Sequence, residues 1–191
     1  PRVEVGNPGF VRALFDLAAI PEPARPALAD AIDRKDAATL RELLAQLTPA
    51  GEFRRALEQV PDIYGDLSSL GLAREVAPWQ ETLAEIERLE EIVGQFEDPG
   101  DLLLDLGMAR RLSYYTGMTF RAYTFDYGQP LLGGGRYDGA LLPHAAGFSI
   151  GLERLAEALP RGRSRSVPLV LSRDDARARI LRRNGVHVLR A

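Results

Sequence analysis

The sequence predicts an α+β protein: an antiparallel sheet with flanking helices, a helical insertion and a small β-α-β segment near the C-terminal end. Three features carry that expectation. Apolar residues recur at spacings of three and four between residues 8 and 96, the period of amphipathic helices. From residue 101 to 151 short apolar or alternating runs are separated by glycine-bearing turns, as in consecutive antiparallel strands. After residue 167 a single strand–helix–strand unit of about 25 residues follows, too small to be stable alone.

The opening "PRVEVG" alternates Val3 and Val5, as in a strand already under way, and lacks a starting methionine. It is therefore expected to belong to a longer protein, with another segment or chain covering the sheet edges left exposed. Phe10, Leu14 and Leu17 share a helix face, and Pro21, Pro23 and Pro26 break that helix and start the next. Asp36 is expected to cap a helix carrying Leu40, Leu43, Leu44 and Leu47, with Thr48-Pro49 as its end. Phe53, Leu57 and Val60 give another turn or two, and "YGDLSSLG" reads as a loop with a short helix. The clearest helix begins at Pro78 and carries Leu83, Ile86, Leu89, Ile92, Val93 and Phe96. Its glutamates (Glu81, Glu85, Glu87, Glu90, Glu91) read as a solvated face rather than a metal site.

"EDPG" at 97–100 closes the helical part, and "DLLLDLG" is a short strand. "MTFRAYTFDYG" puts Phe120, Ala122 and Thr124 on one face and Arg121, Tyr123 and Phe125 on the other. "QPLLGGGRYDG" and "AGFSIGLERL" add strands, and "ERLAEALP" adds a helix. "RGRSRS" at 161–166 is a basic linker; "VPLVLS", a helix ended by Asn184-Gly185, and "VHVLRA" complete the chain. The domain boundary is placed at residues 160/161, with the helical insertion at about 16–96.

Bulk properties narrow the function classes. With no cysteine there are no disulfides or thiolate metal sites, and only His144 and His187 are available for a histidine-based centre. A net charge of -3 gives no support for a broad nucleic-acid surface. No apolar run approaches a membrane span and no signal-peptide pattern opens the chain, so a cytoplasmic location and no membrane partner are expected.

Candidate chemistry is concentrated in two places. Arg110 and Arg111 next to Tyr114 and Tyr115 could grip a carboxylate or phosphate and stack on a ring, or could form an ordinary strand edge. Gly133-Gly134-Gly135 followed by Arg136 reads either as a tight turn or bulge, or as a floor where backbone approaches a ligand. Arg154 opens a helix, where the dipole disfavours a cation, and this favours a ligand role. Asp138 is expected to cap the turn after Tyr137. His144 is read as a solvent-exposed loop residue and His187 as an outward strand residue. No nucleophile with an adjacent base and no phosphate-binding fingerprint is present.

Taken together and in order, "ARRLSYYTGMTF", "LLGGGRYDG" and "GFSIGLERL" resemble the second half of the class II histidyl-tRNA synthetase catalytic domain, and "RVEVGNPGFVRALF" resembles the stretch after the second class II motif. Within that superfamily the chain is similar to the ATP phosphoribosyltransferase regulatory subunits. "ALADAIDRKDAATLRELLAQL", followed by "ALEQVPDIYGDLSSLGLAREVAP", resembles their short helical insertion, and the segment after Val167 is far shorter than an anticodon-binding domain. The motif also departs from the synthetase pattern: Arg111 stands for a glycine, Ser113 for an aspartate and Arg121 for a glutamate.

The resemblance implies a non-catalytic subunit. It would join the short-form ATP phosphoribosyltransferase catalytic subunit in a hetero-oligomer, self-associate through the synthetase-like domain, and take part in feedback inhibition by histidine. No cofactor and no tRNA are implied. Arg110, Tyr114, Tyr115, Gly134, Gly135, Arg136 and Arg154 would line a histidine-like pocket, with no catalytic residue and no metal. A fragment of a true histidyl-tRNA synthetase, or another synthetase-like paralogue, remains open from the residues alone.

Overall fold

The computed structural model describes residues 2–96, 102–109, 114–125, 127–139, 142–159, 169–172, 174–184 and 186–190. The expectations for "EDPG", for Arg110-Arg111-Leu112-Ser113, for the 161–166 linker and for the side chain of His187 lie outside the described residues. The chain divides into two compact units, Pro1–Ala158 and Leu159–Ala191.

In the first unit, strand β1 (Arg2–Gly6) leads into helix α1 (Pro8–Leu17). Asn7 caps α1, its Oδ1 accepting from the Gly9 N–H at 3.0 Å, and Pro8 fills the first turn, where no N–H is needed. Phe10, Val11, Leu14 and Phe15 form the buried stripe. Fully burying a side chain of this size contributes about 2 kcal/mol. Ala19, at φ 49°, ends the helix. The prolines make a 3-10 turn at Glu22–Ala24 before α2 (Arg25–Asp33). Asp36 caps α3 (Ala37–Leu47) through the Thr39 N–H, as expected, and left-handed Thr48 stops it.

Next come α4 (Gly51–Gln59), a two-residue strand β2 (Tyr64–Gly65), α5 (Ser69–Val76) and α6 (Gln80–Val93). Phe96 lies beyond the end of α6 and is exposed, so it does not extend the apolar stripe. Glu85 also departs from expectation. Rather than standing in solvent, its carboxylate and backbone carbonyl accept from Asn7 Nδ2 at 2.8 and 3.0 Å, tying α6 to the start of α1. Then follow β3 (Leu102–Asp105), β4 (Thr119–Thr124), β5 (Tyr127–Arg136), β6 (Ala146–Ile150) and α7 (Leu152–Ala158).

These strands form one six-stranded sheet in the order β2-β3-β1-β4-β5-β6. It is mixed rather than purely antiparallel: β1 and β3 pair in parallel, Val3 with Leu102 and Val5 with Leu104, while the other pairs are antiparallel. The helical segment between β1 and β3 acts as a crossover that returns the chain in the same direction, which a hairpin cannot do.

The triple glycine also corrects the turn reading. It lies inside β5, paired with both neighbours, and none of the three has a positive φ. The glycine that needs a left-handed backbone is Gly139 (φ 80°), in the β5–β6 turn. That turn is closed by Asp138, whose Oδ1 accepts from the Ala145 N–H at 2.9 Å.

Strand alternation and register give the sheet two faces. Val3, Val5, Leu102, Leu104 and Phe120 share one face and pack into the hydrophobic core with Phe10, Leu14, Ile86 and Leu89. Glu4, Arg121, Gly133 and Ser149, aligned across β1, β4, β5 and β6, share the other.

The second unit holds β7 (Leu169–Ser172), α8 (Asp175–Arg183) and β8 (His187–Arg190), with β7 and β8 parallel. Asp174 caps α8 by accepting from the Ala176 and Arg177 N–H groups. Ala178 and Val188 are buried.

Candidate ligand pocket on the polar face of the sheet

The polar face carries a cavity of about 610 Å³, lined along β4 by Thr119, Arg121 and Tyr123 and along β5 by Pro130 to Gly134. Ser149, Gly151 and Arg154 close one side; Met108 and Tyr115, from the connection between β3 and β4, close the other. Glycine on this face lets the connection lie against the strands. A Cβ on Gly135 would stand 2.9 Å from the Tyr115 ring and 2.6 Å from the Met118 carbonyl, and one on Gly147 would stand 2.9 Å from the Tyr137 hydroxyl. Arg12 of α1 donates to the Tyr115 carbonyl at 2.8 Å, holding that tyrosine in place.

The expected site residues do not all converge. Tyr115, Gly134 and Arg154 line the cavity, and Arg154 Nη1 donates to the Pro130 carbonyl at 3.0 Å. Tyr114 stacks on Tyr137, ring centroids 5.3 Å apart, and meets Tyr115 edge-on at 4.9 Å, so the two adjacent tyrosines do not flank one ligand ring. Gly135 and Arg136 are among the residues lining a second cavity of about 880 Å³, which Phe120 and Phe148 also border, although a Cβ on Gly135 would face Tyr115. Arg136 forms an ion pair with Asp138 at 2.5 Å. The N–H of Ala145, with Arg136 and His144 nearby, holds the Asp138 carboxyl below its ordinary range. Arg110 lies outside the described residues.

Two lining residues were not foreseen as site residues, although the alternation of "MTFRAYT" put them on one face. The first is Arg121, whose Nη2 donates to Asp33 Oδ1 at 2.6 Å. Burial alone would weaken its basicity, but the Asp33 charge and hydrogen bond outweigh that and raise its pKa. The second is Tyr123, whose hydroxyl donates to Glu4 Oε2 at 2.9 Å. Burial, with the Glu4 hydrogen bond and charge, pushes its pKa up to about 12, so it stays a neutral donor. Glu4 also accepts from the Tyr64 hydroxyl at 3.2 Å.

Beside this group, Asp105 Oδ1 accepts from the Gly107 N–H at 3.0 Å and lies 3.6 Å from Lys35 Nζ. Lys35, itself at φ 57°, also donates to the Pro61 carbonyl and sits over the Tyr64 ring. Among the described residues no cluster of three or more His, Asp or Glu could hold a metal, and no helix is long and apolar enough to cross a membrane.

The family model described as histidyl-tRNA synthetase matches residues 1–155. Similar curated proteins include the ATP phosphoribosyltransferase regulatory subunit of Thermus thermophilus, 45% identical over 175 residues that cover 90% of this chain and 47% of that protein. The protein of the same description from Deinococcus radiodurans is 43% identical over 189 residues, 97% of this chain and 46% of that one. A crystal structure described as an ATP phosphoribosyltransferase regulatory subunit/histidyl-tRNA synthetase, from Bacillus halodurans C, matches with a TM-score of 0.72 at 25% identity, covering 98% of this chain and 52% of that chain. The chain thus spans about half the length of the curated relatives it matches. By its sequence pattern over 1–155 and by its fold, the chain belongs to the histidyl-tRNA synthetase family.

Proposed function

We propose that the protein carrying this chain is a non-catalytic regulatory subunit of ATP phosphoribosyltransferase, working in the cytoplasm at the first step of histidine biosynthesis. In this reading it joins a short-form catalytic subunit in a hetero-oligomer, is needed for that subunit's activity, and contributes to feedback inhibition by histidine. The observation that carries the reading is the match, over nearly the whole chain, to curated proteins described as such regulatory subunits. The sheet supplies a small-ligand pocket lined by Tyr115, Gly134 and Arg154, to which Arg110 is assigned by its motif. Tyr114, Gly135 and Arg136 serve mainly the architecture around it. Residues 1–160 act as the synthetase-like domain, and 161–191 as a linker and a small added segment.

A histidyl-tRNA synthetase is the second reading, favoured by the family model. Sedimentation separates the two. Mixed with a short-form catalytic subunit, the protein is expected to move as one larger species; two independent boundaries at all ratios would overturn the regulatory reading.

A further inference from the structure

The two units differ sharply in charge. Leu159–Ala191 holds nine arginines against two acids, net +7, whereas Pro1–Ala158 holds fifteen basic and twenty-five acidic side chains, net -10. On α8, Arg177, Arg179, Arg182 and Arg183 are all exposed. Ala178 is buried, which gives the helix an inner face, yet Ile180 is 61% exposed. Arg177 and Arg183 stand three residues to either side of it, on the same stripe of the helix. An apolar residue inside a cationic surround has the make-up of a protein interface, an apolar centre with a polar rim. A nucleic acid fits it less well, because residues 159–191 contain no Phe, Tyr or Trp on which a base could stack.

The complementary surface is carried by the same chain. α6 exposes Glu87 and Glu91, four residues apart on one face. Its last turn carries no basic side chain, and the carbonyl end of a helix favours an approaching cation. Just past that end stands Phe96, 44% exposed. α6 thus offers acids and an apolar residue where α8 offers arginines and an apolar residue. Ile180 and Phe96 are both exposed in the single chain, so what covers them is another molecule, and a second copy brings the opposite charge to each. In a two-fold pair every copy supplies one α8 and one α6, and the contact is made twice.

We propose that α8 of one copy docks on the acidic C-terminal half of α6 of a second copy, with Ile180 and Phe96 as the apolar centre and Arg177 and Arg183 against Glu87 and Glu91 as the rim. Exposed ion pairs are individually weak and are screened by salt, so this contact between copies is salt-sensitive. It goes beyond the regulatory reading and does not depend on it.

The test is photo-crosslinking of the intact protein carrying Ile180→p-benzoylphenylalanine. Irradiation is expected to give a covalent dimer on a denaturing gel, with cross-linked peptides that join position 180 to the stretch 87–96. Its yield should fall about fivefold or more between about 0.05 M and about 0.5 M salt. Arg177→Glu with Arg183→Glu places acids against acids, and Glu87→Arg with Glu91→Arg places cations against cations; either pair should lower the yield about tenfold. Co-expressing the two variants sets opposite charges across the contact again and should restore the covalent dimer, a recovery that a folding defect would not allow. Cross-links confined to one chain, cross-links to nucleic acid, attachment elsewhere on the second copy, no cross-link, or no recovery on co-expression would overturn the proposal. The readout needs neither a catalytic subunit nor histidine, so its failure leaves the regulatory reading separately testable.

Discussion

The two faces of the six-stranded sheet are built from alternate residues of the same strands, yet they differ in kind. On one, Val5, Leu104 and Phe120 press into the core beside Phe10 and Leu89. On the other, Glu4, Arg121, Gly133 and Ser149 line up in register, and hydrogen bonds and ion pairs replace apolar packing. A strand with period two can therefore put apolar packing on one set of side chains and a polar, cavity-lining surface on the next. Changes on the polar face can then alter the chemistry of the cavity while the core holds the fold.

Substitutions on each face should separate these roles. Leu104 is fully buried, and Leu104→Ala is expected to cost about 3 kcal/mol in denaturant unfolding, the usual price of a core cavity. Arg154→Ala, on an exposed side chain, is expected to change stability by less than about 0.5 kcal/mol, because it removes only a surface hydrogen bond to the Pro130 carbonyl. Similar stability losses from the two variants would break the division.

A subtler effect comes from Asp105. Its burial raises the carboxyl pKa, with Lys35 only partly offsetting it, so folding disfavours the ionised form. That penalty applies at neutral pH and disappears as pH falls through the raised folded value. Asp105→Asn keeps the acceptor for the Gly107 N–H, so it is expected to raise the melting midpoint at neutral pH, with the gain shrinking towards about pH 4. A lower midpoint at neutral pH would show that the Lys35 contact dominates.

Local signals made much of this fold legible. Asp36 was recognisable as a cap, the helical stripes by their period, and the two faces of β4 by alternation. What escaped depends on partners distant in sequence. The parallel pairing of β1 with β3 is set by a crossover of nearly a hundred residues, which leaves no periodic trace. Asp33 and Arg121 are 88 residues apart, and Asn7 and Glu85 are 78 apart, so nothing local in the sequence signals either contact. The glycine run was ambiguous because glycine suits a turn and a close approach alike, and only the pairing of β5 with both neighbours decides. In the same way Tyr114 and Tyr115 looked equivalent, although only Tyr115 lines the cavity.

The most direct test of the central claim is reconstitution. The intact protein would be mixed with a short-form catalytic subunit, and phosphoribosyl-ATP formation followed from ATP and phosphoribosyl pyrophosphate, with and without histidine. The account predicts activity that requires both proteins and falls when histidine is added. No stimulation at any ratio, together with histidine-dependent ATP–pyrophosphate exchange by the protein alone, would contradict it and establish synthetase chemistry instead.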